Sequence, residues 1–351
     1  MTGTGPHTGT GTHGDTSAGA GTSAGSGARA AAGTFADALA RGPLVLDGGL
    51  SNQLEAAGHD LGDALWSARL LAEDPEAVVA AHRAYYAAGA DVVITASYQA
   101  TFEGFARRGI GTLRAAELLT LSVRLARRAA ADAGPSPTGA VPGRRWVAAS
   151  AGPYGAMLAD GSEYRGRYGL SVSALERFHR PRLDVLAHAE PDVLALETVP
   201  DVDEARALLR AVRGLGVPAW LSYSVHGGRT RAGQPLEEAF ALAADADEVI
   251  AVGVNCCTPD DADAAVPLAA RITGKPVVVY PNSGERWDAA TRSWQGPPSF
   301  TADRVPRWRA AGARLIGGCC RVGPPTIARV AAELAGGSSR TPAPGSRATP
   351  G

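Results

Sequence analysis

Short apolar runs rich in β-branched residues recur along the middle of the chain, each separated from the next by a longer stretch rich in Ala, Leu, Arg and Glu. They are Leu44-Val45-Leu46, Val92-Val93-Ile94, Trp146-Val147-Ala148-Ala149, Val193-Leu194-Ala195-Leu196, Ala219-Trp220-Leu221, Val249 to Val254, Val277-Val278-Val279 and Leu315-Ile316. Continuous apolar character marks a strand buried on both faces, and strands alternating with helical stretches build a parallel sheet. About eight runs are present, which is the number that closes a (β/α)₈ TIM barrel of ~250 residues. The rival is a doubly wound open sheet. It lacks its Gly-rich fingerprint here, because Asp47-Gly48-Gly49 does not have the G-x-G-x-x-G spacing.

Polar or metal-capable residues follow nearly every run: Asp47; Thr95 with Ser97 and Tyr98; Ser150; Glu197 with Thr198; Ser222 with Tyr223; Asn255 with Cys256; Asn282 with Ser283; Cys319 with Cys320. In a barrel these exits converge on one end, where such folds keep their chemistry. Each has a bland reading as well. Asp47 before two glycines suits an Asx turn, and Glu197-Thr198 suits the start of a helix. Two carboxylates at different strand mouths beside a thiol-rich centre point instead to capture of a cation such as an α-ammonium.

All four cysteines fall in two adjacent pairs, Cys256-Cys257 and Cys319-Cys320. Buried inert thiols are the plain alternative, and a disulfide framework is not needed in a chain of this length, with nothing to indicate an oxidising compartment. Neighbours on a flat strand face opposite ways, so only one of Cys256 and Cys257 can join a common site. Gly317-Gly318 loosens the backbone ahead of the second pair, which lets both of its thiols turn inward. Three thiolates with a fourth position left open is the arithmetic of a catalytic zinc site.

Basic and acidic residues number 34 and 35, which leaves no electrostatic footprint for nucleic acid or an anionic membrane. There is no apolar run of roughly 18 residues to span a bilayer, so the expectation is a soluble, cytoplasmic protein. Residues 1–34 are Gly, Thr, Ser and Ala with almost nothing large and apolar, and residues 336–351 return to that character. Both are expected to be disordered tails around a single barrel domain over residues 35–335, and the first has neither the basic start nor the apolar stretch of a secretory signal. The seven histidines are scattered, with His7 and His13 in the tail and His226 alone near a strand exit, and none is assigned to a metal.

The ordered set of motifs closely resembles the homocysteine S-methyltransferase family, and within it the S-methylmethionine-dependent branch. The motifs are Leu46-Asp47-Gly48-Gly49, Leu65-Trp66-Ser67-Ala68, Thr95 to Thr101, Gly152-Pro153-Tyr154-Gly155 through Asp160-Gly161-Ser162-Glu163-Tyr164-Arg165-Gly166, Glu197-Thr198, Gly253-Val254-Asn255-Cys256, Tyr280-Pro281-Asn282-Ser283-Gly284-Glu285 and Gly317-Gly318-Cys319-Cys320-Arg321. The resemblance implies a (β/α)₈ barrel that binds Zn²⁺ through Cys256, Cys319 and Cys320. It also implies homocysteine's ammonium on Asp47 and Glu197, Asn255 near the metal, and Tyr98 with Ser97 in the substrate pocket. Cys257 departs from the family pattern and is expected to point away from the ion.

The implied chemistry is methyl transfer from S-methylmethionine to the activated thiol of homocysteine, giving methionine from both molecules. A methyl sulfonium leaves as a neutral thioether without a general acid, so alignment and exclusion of water are the enzyme's work and no catalytic residue is expected beyond the metal site. A sulfonium is also attracted to aromatic faces, for which Tyr98, Trp66, Tyr154 and Tyr164 are candidates alongside ordinary packing roles. The segment from Gly152 to Tyr168 reads either as a lid over the donor or as a static loop, as does the stretch from Arg286 to Pro298 with Trp287 and Trp294. The alternatives left open are the same chemistry with S-adenosylmethionine or betaine as donor, and a barrel that stores metal without turnover. Oligomeric state and protein partners have no signature in the sequence.

Overall fold

A computed structural model describes residues 33–62, 65, 67–136, 143–288 and 293–336. Nearly all of both expected tails, with His7 and His13, lies outside the described residues, and so does Trp66.

The eight runs form eight parallel strands: β1 (Leu44–Val45), β2 (Val92–Ile94), β3 (Trp146–Ala151), β4 (Val193–Val199), β5 (Ala219–Tyr223), β6 (Val249–Asn255), β7 (Val277–Tyr280) and β8 (Ala313–Ile316). The sheet runs β1-β8-β7-β6-β5-β4-β3-β2. A parallel bridge between Leu46 and Val92 joins its two ends, and Asp47 N donates to the Val92 carbonyl at 3.0 Å. This is the (β/α)₈ barrel expected of the sequence.

Two-sided burial explains why the runs do not alternate. Leu44, Leu46, Val92, Trp146, Ala148, Val193, Ala195, Trp220, Ala251, Val278 and Leu315 pack inside the barrel. The residues between them, such as Val45, Val93, Val147, Leu194, Leu221, Val252 and Val279, pack outward against the surrounding helices. Each large side chain so buried stabilises by roughly 1.5–3 kcal/mol before the ordering entropy is charged against it.

The bottom of the barrel is closed by the first helix, Phe35–Arg41, whose Thr34 and Asp37 form a reciprocal capping box. Its Phe35, Ala38 and Leu39 belong to the interior cluster, and Phe35 meets the edge of Trp146, the first residue of β3, at 5.2 Å. The lower end of the barrel is thereby filled. Among the described residues no helix is long and apolar enough to cross a membrane.

Two short hairpins decorate that end. Val225–His226 pairs with Arg229–Thr230, and Arg286–Asp288 pairs with Ser293–Gln295. Gly227 and Gly228, with φ of 58° and 75°, supply the left-handed turn of the first.

Candidate active site

The exit of β4 is not the start of a helix, because Glu197 and Thr198 lie within the strand and the next helix begins at Val202, capped by Asp201. Pairing with β5 shifts register between Leu196 and Val199, and Thr198 sits at φ 59°. This is a bulge: Glu197 follows Val193 and Ala195 into the barrel by ordinary alternation, and the extra residue after it turns Val199 outward with Leu194 and Leu196. A β-branched residue in the left-handed region is strained. Asn255, at the end of β6, holds it there. Its Oδ1 accepts from Thr198 N at 2.8 Å and its Nδ2 donates to Thr198 Oγ1 at 2.7 Å, while Ser222 Oγ also donates to Oδ1 at 2.9 Å.

Glu197 is buried and bonded from both sides, Ser150 Oγ donating to Oε1 and Tyr280 OH donating to Oε2 at 3.0 Å. Ser97 does not point into open space. Its hydroxyl donates to the Ser150 carbonyl at 2.8 Å and meets Thr95 Oγ1 at 2.7 Å, and Thr95 Oγ1 accepts from Ser150 N. Thr95 and Ser97 therefore fix Ser150, which fixes Glu197. Burial raises the Glu197 carboxyl to about 7 against hydrogen bonds that lower it.

Asp47 does not make an Asx turn. Its Oδ2 accepts from Ile94 N of β2 at 2.8 Å, and its Oδ1 is buried without a partner. Burial, with the charge of Glu197 adding to it, holds the Asp47 carboxyl well above its usual range. Two buried acids, one with an orphaned oxygen, suit a cation carrying N–H groups.

The sulfurs converge from the other side of the mouth. Those of Cys256, Cys319 and Cys320 all lie within 4.8 Å of one another, and Cys256 Sγ is 2.7 Å from Cys319 Sγ. Cys256 reaches this position through a left-handed residue, φ 47°, which departs from strand geometry and separates it from Cys257. The Cys257 side chain is buried in the outer layer between strands and helices, and its thiol is pushed up by burial. Cys319 is held protonated by hydrogen bonds to Cys256 and Cys320 and by burial, while hydrogen bonds from the same two neighbours pull Cys320 well down. A bound cation is what would ionise all three thiols.

The glycines before the second pair act differently from the loosening expected of them. Gly317 and Gly318 have no left-handed φ among the positive values. They are small because a Cβ on Gly317 would stand 2.7 Å from the Asp47 carbonyl, and one on Gly318 would stand 2.1 Å from Val322 Cγ1. The turn itself falls on Arg321, φ 63°. Close approach of backbones, not local flexibility, seats the thiols.

The Tyr280 to Glu285 segment braces both cysteine elements. Cys319 N donates to the Pro281 carbonyl at 2.8 Å, Cys320 N to Asn282 Oδ1 at 3.1 Å, and Asn282 N to the Cys257 carbonyl at 2.9 Å. Glu285 pairs with Arg321 at 2.9 Å. Tyr280 was marked by its motif only. It supports the site through Glu197 and Ser222, and a residue ending an interior strand face is the signal that identifies it.

The aromatic candidates divide. Tyr154 packs on Tyr168 and Phe178 at 5.2 and 4.9 Å. Tyr98 carries a hydrogen bond with Thr198 and feels the charge of Glu163 and then Cys256. Tyr164 has the Arg231 guanidinium 5.4 Å from its ring centre, and that guanidinium donates to the Cys256 carbonyl at 3.3 Å. His226 is exposed on its hairpin and 3.8 Å from Asp261. Tyr223 turns outward, donating to the Ala239 carbonyl. The Gly152 to Tyr168 loop is tied down: Glu204 accepts from Tyr154 N at 2.6 Å and from Tyr168 OH at 3.1 Å, and Asp201 accepts from Arg167 N at 2.8 Å.

A closed-bottom (β/α)₈ barrel with thiols and buried acids gathered at its C-terminal mouth defines a barrel enzyme of thiol chemistry. The homocysteine S-methyltransferase family model matches residues 44–334. The chain is 45% identical over 296 residues to the homocysteine S-methyltransferase of Escherichia coli strain K12, covering 83% of this chain and 94% of that one. It is 46% identical over 306 residues to homocysteine S-methyltransferase 4 of Zea mays, covering 83% and 89%. Among solved structures, the metallated form of the homocysteine methyltransferase MmuM from Escherichia coli superposes with a TM-score of 0.73 at 44% identity, covering 83% of this chain and 96% of that one. The chain belongs to the homocysteine S-methyltransferase family and is an enzyme whose methyl acceptor is homocysteine.

Proposed function

We propose that the enzyme moves a methyl group from S-methylmethionine to homocysteine, with Zn²⁺ held by Cys256, Cys319 and Cys320. The observation that carries this reading is the convergence of three sulfurs within 4.8 Å beside a buried carboxylate pair with an orphaned oxygen. The donor set fits zinc in kind, three thiols leaving one position for a substrate, and Zn–S bonds of about 2.3 Å would open the Cys256–Cys319 sulfurs from 2.7 Å to roughly 3.8 Å. When bound, the metal supplies deprotonation of a coordinating thiol at neutral pH.

The chain's own residues do the rest. Asp47 and Glu197 take homocysteine's α-ammonium, and Asn255 keeps Glu197 in place through the Thr198 bulge. Ser97 acts through Ser150. Tyr98, hydrogen-bonded with Thr198, lines the substrate pocket. The homocysteine sulfur attacks the methyl carbon of the sulfonium, the breaking C–S bond returns its electron pair to the donor sulfur, and methionine leaves as a neutral thioether. No proton has to be delivered to that leaving group, so alignment and dryness are sufficient. The 35–335 barrel is the working unit, acting in the cytoplasm.

Methionine formation by zinc-loaded, reduced enzyme tests this, with S-methylmethionine, S-adenosylmethionine or betaine offered as donor and a Cys319→Ser variant alongside. Strong turnover with S-methylmethionine that vanishes in the variant supports the reading. Preference for either other donor reassigns the donor, and turnover that survives loss of the thiol sinks the metal's role.

A further inference from the structure

Glu163 is a buried acid that the scheme above does not use. It lies in the turn Ser162–Tyr164, is only 9% exposed, and its Oε2 is buried with no hydrogen-bond partner. The turn is built to hold it. Ser162 N donates to Asp160 Oδ1 at 2.9 Å, and Gly155 lies so close beneath that a Cβ there would be 2.4 Å from Glu163 N. The loop that carries the turn is itself anchored through Glu204 and Asp201.

The turn sits at the site. The ring of its Tyr164 lies 5.4 Å from the Arg231 guanidinium, and that guanidinium donates to the Cys256 carbonyl at 3.3 Å. The mouth therefore carries two acidic stations, one made by Asp47 with Glu197 and one by Glu163, each with a buried oxygen that has no partner, Asp47 Oδ1 and Glu163 Oε2. A reaction between two amino acids brings two α-ammonium groups to one centre.

We propose that Glu163 is the donor-recognition residue, its carboxylate receiving the α-ammonium of a sulfonium donor that is itself an amino acid. The chemistry of the orphaned oxygen selects the ammonium over the sulfonium. A carboxylate oxygen lacking a partner is satisfied by an N–H, which a sulfonium does not possess, whereas a sulfonium is satisfied by an aromatic face such as Tyr98. Glu163 thereby discriminates S-methylmethionine from sulfonium or quaternary-ammonium donors without an amino group. This inference rests on the S-methylmethionine reading.

The test compares wild type, Glu163→Gln and Glu163→Asp, all loaded with zinc. KM for homocysteine and for S-methylmethionine is measured, together with KM or the competitive inhibition constant of dimethylsulfonioacetate, a methyl sulfonium without an amino group. Glu163→Gln should raise KM for S-methylmethionine by roughly 10- to 100-fold, the usual worth of a charge-assisted hydrogen bond. The constants for dimethylsulfonioacetate and homocysteine should stay within about twofold, and Glu163→Asp should recover part of the loss. Melting temperature and metal content serve as folding controls. Equal losses with both sulfonium compounds, a raised KM for homocysteine, or no change with S-methylmethionine would each overturn the assignment. Wild type that forms no methionine from S-methylmethionine removes the donor reading, and this inference with it. Wild-type turnover that Glu163→Gln leaves untouched removes this inference alone.

Discussion

The barrel mouth has an oxygen side and a sulfur side. From β1 to β4 the strand exits present Asp47, Thr95, Ser150 and Glu197, while from β6 to β8 they present Cys256, Cys319 and Cys320. The oxygen side is assembled by side chains that hydrogen-bond one another, ending in the bonds to Glu197 from Ser150 on neighbouring β3 and from Tyr280 across the barrel on β7. The sulfur side is assembled by backbone, with carbonyls of Pro281 and Cys257 and the glycines of the Gly317-Gly318 turn setting where the thiols stand. The difference follows from the ligand each side suits. Hard N–H cations are caught by oriented oxygens, and a soft ion is caught by thiolates whose positions must be exact to tenths of an ångström while the sulfurs themselves hydrogen-bond weakly.

Breaking the sulfur side should have the largest effect. Cys256→Ser or Cys320→Ser is expected to lower bound zinc from about one per chain to near zero and activity by ~100-fold or more, read by metal analysis and methionine formation. Retention of full zinc in either variant would remove that cysteine from the ligand set. Breaking the oxygen side should leave metal content intact. Asp47→Asn or Glu197→Gln is expected to raise KM for homocysteine by roughly 10- to 100-fold, the loss of a charge-assisted bond to an ammonium. A fall in zinc content instead would mean that the two sides are not separable.

Asn255 lies on the sulfur-side strand yet serves the oxygen side. Asn255→Ala should release the Thr198 bulge, destabilise the fold by about 1–3 kcal/mol and weaken homocysteine binding with zinc retained, as measured by denaturant unfolding and titration. The comparison also sharpens with pH. Burial lifts Glu197 from 4.5 to about 7 in the folded protein, so its contribution to stability is full below the ordinary carboxyl value and is lost as pH rises through about 7. The melting temperature of the ligand-free enzyme should fall over that window, and Glu197→Gln should flatten part of the decline. Homocysteine affinity should run the other way, rising as the carboxylates ionise. The smallest effect belongs to Cys257→Ala, expected to keep zinc and activity and to cost about 1 kcal/mol of stability from a small core cavity.

Much of the site was legible because barrel strands buried on both faces write themselves as continuous apolar runs, and the residue after each run must then lie at one mouth. That logic locates Asp47, Glu197, Cys256, Cys319 and Cys320 without any contact being known. It fails where a local rule is broken by a distant partner. Glu197-Thr198 resembles a helix start, yet it is a strand bulge clamped by Asn255, 57 residues further along the chain. Ser97 reads as a pocket hydroxyl, yet it is bonded to Ser150, 53 residues away. Glu163 stands in a motif rich in polar residues, and nothing local marks it as the one whose oxygen is left without a partner.

The sequence by itself determined the barrel, the end that carries chemistry and the kinds of atom gathered there, because each depends on periodicity and residue type that a single stretch of chain contains. Tertiary structure alone decided how the chain turns Cys256 toward the centre, which hydroxyls are already engaged and which carboxyl oxygens are left without a partner. Those outcomes depend on left-handed residues, register shifts and hydrogen bonds between strands remote in sequence, and so they exist only once the sheet has closed.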